Sequence, residues 1–169
     1  ETTMSTSRID GDLYVSGNIA GKTFTPPASS ITNAAVIAAA GISSSKLQHR
    51  YRPSLSQAHG TAGTTERRAV HQMVGATGTL NSVRAQLSVA PIGAATHVIQ
   101  VKKNGTDILS TAITLDSGNT AFIDETDTGF TSTALVNGDV LEITVTATAG
   151  GGTLGQGLHV MIDLDEDAA

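Results

Sequence analysis

"VLEITVTAT", residues 140–148, alternates without a break: Leu141, Ile143, Val145 and Ala147 fall on one side, Glu142, Thr144 and Thr146 on the other. A period of two marks a strand with one face on a core and one in water. The same pattern returns in "LHVMIDLDE", residues 158–166, where Leu158, Val160, Ile162 and Leu164 point inward. Upstream, Val83, Ala85, Leu87 and Val89 alternate with Ser82, Arg84, Gln86 and Ser88, and Ile99 and Val101 mark a further strand over 97–103. "KNGT", residues 103–106, is the strongest local signal, because Asn-Gly accepts the positive φ angles of a type I′ hairpin. "NGD", residues 137–139, makes a second turn before the decisive strand.

Further strands are expected over 66–74, 107–115, 120–124 and 130–136. That gives about eight strands at the roughly 8–12 residue spacing of a sandwich or barrel. The expected fold is mainly β: an antiparallel β-sandwich, jelly roll in type, over residues 65–169. An immunoglobulin-like sandwich is the nearest rival, but its cysteine and tryptophan markers are absent, since the chain has neither residue.

Residues 1–64 read differently. One short alternating strand, Leu13 and Val15, is broken by Gly11, Gly17 and Gly21, and Pro26-Pro27 then stiffens the chain. "SSITNAAVIAAAGISSSKLQHRY", residues 29–51, reads as two short helices. Asn33 is an N-cap before Ala34–Ala40, Gly41 is a stop, and a second start falls at Ser43 or Ser44. Helices below ~12–15 residues are marginal alone, so this arm is expected to lean on a neighbour. The expected contacts are Ile9, Leu13, Val15, Ile19 and Phe24, then Ile31, Val36, Ile37, Ile42 and Leu47. Arg8, Lys22, Arg50 and Arg52 add electrostatic complementarity.

Charge is uneven along the chain. Seven basic and four acidic side chains precede residue 76, and three basic and eleven acidic ones come after it. There is no basic patch with aromatic platforms, so no nucleic-acid partner is expected. No apolar run approaches ~20 residues, so no membrane-spanning helix is expected, and the first residues carry no signal-peptide pattern. With no cysteine there is no thiol or disulfide chemistry.

The chemistry-bearing residues do not assemble into a motif. His49, His59, His71, His97 and His159 lack the H-x-H or HExxH spacing of a zinc site and read as surface or strand histidines. "DETDTG", residues 124–129, lacks the pattern of a calcium loop and reads as a solvated turn. "GGGTLGQG", residues 150–157, has no Lys-Ser/Thr after it and joins two strands, so it is a loop and not a phosphate cradle. There is no G-x-S-x-G elbow. No cofactor, no metal and no catalytic residue is expected, and the chain reads as a non-enzyme.

"GDLYVSGNIAG" (11–21) resembles strand-and-turn units in the N-terminal regions of bacteriophage fibres and head-decoration proteins. "ITNAAVIAAAGISSSKL" (31–47) resembles the alanine-rich segment that comes after them. "ERRAVH" (66–71), "VKKNGTDIL" (101–109), "ALVNGDVLEITV" (134–145) and "GTLGQGLHVMIDLDED" (152–167) resemble the β-sandwich of tailed-phage virion proteins. The resemblance implies a capsid decoration (cement) or head-fibre protein on the virion surface. It also implies a homotrimer whose partners are its own copies and the major capsid protein or another virion protein. Trimerisation would let individually weak arms bind with high avidity. The alternative is a tail-fibre or receptor-binding tip that recognises a host glycan or protein. The chain's two Tyr and three Phe, three of them in the first 51 residues, disfavour it.

Overall fold

The computed structural model describes residues 49–167. Among them there is no helix; the elements are eleven strand segments in two antiparallel sheets. In chain order they are β1 (His49–Tyr51), β2 (Ser54–Ser56), β3 (Glu66–Gln72), β4 (Gly78–Gln86), β5 (Thr96–Lys103), β6 (Thr106–Asp107), β7 (Ile113–Leu115), β8 (Glu125–Asp127), β9 (Ala134–Leu135), β10 (Val140–Thr148) and β11 (His159–Glu166). The helices expected over 34–47, and every expected contact residue from Arg8 to Leu47, lie outside the described residues.

Three pairs of short segments share one side of a longer strand: β1 and β2 on β11, β6 and β7 on β5, β8 and β9 on β4. Taken as continuous, they leave eight strands. Their order is first–eighth–third–sixth in one sheet and second–seventh–fourth–fifth in the other. Residues 49–56, which the sequence pattern assigns to the arm before residue 65, therefore supply the first strand of the sandwich. Leu55 on β2 is fully buried in its core.

The core is aliphatic, as the scarcity of aromatics dictates. Val83, Ala85, Val160, Ile162 and Leu164 of one sheet meet Ile99, Val101, Leu141, Ile143 and Val145 of the other. Each fully buried large side chain contributes roughly 1.5–3 kcal/mol.

The two Asn-Gly turns are joined by a polar lock. Asn104 (φ 51°) and Gly105 (φ 83°) have the positive angles of the expected hairpin, between Lys103 and Thr106. Asn104 Nδ2 donates to Asp139 Oδ1 (2.7 Å), and Asn104 Oδ1 accepts from the Val140 amide (2.9 Å). Asp139 Oδ2 accepts from the Val136 amide (2.9 Å), and this bond leads in holding the buried Asp139 carboxyl below the usual carboxylate range. The turn expected over 137–139 is thus also a cap on β10.

Candidate interaction surfaces

Of the fourteen contact residues expected from sequence, Arg50 and Arg52 fall in the described part. They sit where the chain enters the sandwich, on the outer face of the first sheet. Arg50 forks onto Asp165, with Nε to Oδ1 at 2.8 Å and Nη2 to Oδ2 at 3.2 Å. This bond and its charge raise the Arg50 pKa and lower that of Asp165. Asp163 lies between the two arginines, its Oδ1 3.5 Å from Arg50 Nε and 3.9 Å from Arg52 Nε, buried and without a hydrogen bond. Alternation put these carboxylates on the outward side of β11, and the cross-strand register put Arg50 opposite Asp165. The acidic C-terminus is therefore largely matched within the fold.

Histidines cluster at the same entry. The Tyr51 ring lies 5.6 Å from that of His71 and 6.3 Å from that of His49, and His49 Nδ1 is 3.8 Å from Glu166. Burial pushes the His71 pKa down, while Glu166 pulls it part of the way back.

At the opposite end, loops 87–95, 116–124 and 149–158 meet. The Phe122 amide donates to the Leu87 carbonyl (2.8 Å), and Ile92 and Thr153 exchange backbone bonds of 2.9 and 3.0 Å. Ile92, Phe122 and Ile123 are 65%, 67% and 58% exposed. Phe122 has φ 63°, a left-handed conformation that costs a bulky residue about 1–3 kcal/mol. A strand was expected over 120–124; the segment is instead a tight turn, closed by the Ile123 amide on the Thr120 carbonyl (3.2 Å).

His97 lies on β5, within the strand expected over 97–103, but its burial was not part of that reading. It is fully buried, opposite Ala147 on β10 and Leu115 on β7, and neither ring nitrogen has a partner. Gly63 packs on the ring so closely that a Cβ there would lie 2.2 Å from Nε2. The signal was present, since 97, 99 and 101 share one phase. Burial pushes the His97 pKa below its ordinary value. The unfolded chain therefore binds more protons than the folded one just below about pH 6.5, and stability is full above that pH and lost as pH falls. Denaturant titrations from pH 7.5 to 5 should show this loss, with a slope approaching 1.4 kcal/mol per pH unit for each proton taken up on unfolding. His97→Leu should reduce the slope and leave the share of His71, whose pKa is also lowered; an unchanged slope would assign the loss to other groups.

No group of three or more His, Asp or Glu among the described residues is placed to hold a metal ion.

No protein-family model matches the chain, and no curated protein matches it. Among solved structures it is similar to the catalytic domain of Agl-KA, at TM-score 0.38 and 14% identity over 72% of this chain and 26% of that one. It is also similar to dimeric latent PorU from Porphyromonas gingivalis, at TM-score 0.28 and 14% identity over 75% of this chain and 14% of that one. A third is a structure of infectious bursal disease virus, Gt strain, at TM-score 0.25 and 14% identity over 72% of this chain and 37% of that one. The chain spans well under two thirds of each.

Proposed function

We propose that this chain is a non-enzymatic structural protein of a tailed-bacteriophage virion, which decorates and stabilises the capsid and is anchored by its N-terminal arm. The observation that carries the reading is the strand order, first–eighth–third–sixth over second–seventh–fourth–fifth. It supports reading the sandwich as a jelly roll, an architecture shared by viral capsid and lectin domains. The order of the phage-like motifs along the chain points the same way. Residue 49 lies at the end of the sandwich opposite loops 87–95, 116–124 and 149–158. Homotrimers would multiply weak arm contacts. A receptor-binding tip is the second reading, favoured by the exposed Phe122 at the end of the sandwich opposite residue 49.

Deletion of residues 1–27 tests the anchoring role. The shortened chain should keep the circular dichroism of the sandwich and lose at least tenfold in affinity for particles stripped of the protein. Attachment at full strength would refute anchoring by this segment.

A further inference from the structure

We propose that the two flanks of the sandwich are the two halves of one interface between copies of this chain: the arginine-edged flank of one copy seats on the carboxylate-edged flank of the next. The inference rests on the self-associating virion protein proposed above and names the surfaces that meet.

The first flank is where the free edges of β1–β2 and β3 come together. Tyr51 against His71 joins them, as does the 3.2 Å bond from Gln57 Nε2 to Glu66 Oε2. Four of the seven cations among the described residues stand here: Arg50, Arg52, Arg67 and Arg68. Their side chains are 54%, 57%, 56% and 51% exposed, whereas the nearby carboxylates of Asp163, Asp165, Glu142 and Glu66 are 10%, 17%, 18% and 24% exposed. The acids lie beneath and the guanidiniums face out. Arg67 gives Nε and Nη2 to Glu142, and Arg50 gives the same two atoms to Asp165, so each keeps Nη1 for an outside acceptor in a fixed orientation. The internal ion pairs organise this flank for recognition.

The second flank is where β6–β7 and β8–β9 approach, through the Leu109–Phe130 bridge and the 2.8 Å bond from the Ser110 amide to the Gly129 carbonyl. No lysine or arginine occurs anywhere after Lys103. Asp116 and Glu125 are exposed beside Phe122, Ile123 and Asp124; Arg84 Nη1 lies 4.0 Å from Asp124 Oδ2, and Lys102, paired with Asp107, is 22% exposed against 55% for its partner, so the acids stand outermost here. An apolar centre with a carboxylate rim calls for a partner rich in arginine, and the chain's own opposite flank has that chemistry, with Tyr51 beside it. Because the two flanks are on opposite sides of the sandwich, the contact is heterologous, and it makes a ring where the rotation between copies closes and a filament where it does not. The left-handed Phe122 holds its side chain out at the seam.

Sedimentation of the full-length chain at micromolar concentration in 0.1 M salt tests this. Arg67→Glu with Arg68→Glu should raise the dissociation constant at least tenfold. So should Asp124→Lys with Glu125→Lys, whose exposed positions spare the core. All four changes in one chain should restore association, since the reversed flanks again complement each other. Phe122→Gly should weaken association while the melting temperature holds or rises; a purely structural role predicts a fall. The interface is overturned by assembly insensitive to both double reversals, by failure of the fourfold variant to recover, or by a wild-type monomer. Particle attachment of the same variants is measured in parallel. Variants that stop self-associating but still attach through the arm separate this interface from the anchoring role.

Discussion

Val145→Asp leaves little or no folded protein. Val145 sits on β10 between Ile99 and Glu66 of its neighbour strands, is 1% exposed, and belongs to the core shared by both sheets. A carboxylate there either stays charged without a partner or takes up a proton, and it also forfeits the packing of the valine. Together these should cost about 4–5 kcal/mol, at the extreme of single substitutions and close to the whole stability of many domains. Loss of the cooperative thermal transition would show it. The control is one residue away: Thr146 is exposed on the other face, and Thr146→Asp should change stability by less than about 1 kcal/mol. Equal effects at 145 and 146 would contradict the register of β10.

Gly152→Ala should be the next most damaging change, short of unfolding the protein. A Cβ at this position would lie 2.0 Å from the Ile92 carbonyl oxygen and 2.8 and 2.9 Å from the Ala95 and Ala94 amide nitrogens. All three are backbone atoms, and the Ile92–Thr153 bonds hold the two loops together, so neither can yield without losing the bridge. Forced overpacking of this kind costs about 1–3 kcal/mol. Thermal melting would register the loss, and amide exchange should rise first at Ile92 and Thr153. Gly151→Ala, with open space at the Cβ but φ 87°, separates backbone strain from collision and should cost less.

Legibility of the sandwich tracked depth. The strands β4, β5, β10 and β11 were readable because one face of each alternates against the other. The edges were not. In β8, "ETD" offers no apolar side, and β1 and β2 are three residues each, separated by Arg52-Pro53. A fragment beginning at residue 66 would therefore lack Leu55 and the edge that covers β11. The strand expected over 107–115 is two pieces because Gln100 replaces the ladder between them: its Oε1 accepts from the Leu109 amide (3.0 Å) and its Nε2 donates to the Leu109 carbonyl (3.2 Å). No one-dimensional pattern announces a side chain standing in for backbone.

The interaction surfaces were less readable still. Arg50 and Arg52 were expected as contacts because they are basic and fall within the arm as read over residues 1–64, but only the β1–β11 register shows what Arg50 already holds. Phe122 read as the middle of a strand, whereas a turn exposes it. The absence of cations after Lys103 was visible in the sequence, but the topology was needed to set it against the arginines across the sandwich.

The central claim, a virion surface protein held by its arm, is tested most directly by immunogold electron microscopy of purified virions whose genome encodes the chain. The expected result is many labelled copies over the capsid surface, and bare capsids when residues 1–27 are deleted. Virions that carry no label, or label confined to the tail tip, would contradict it.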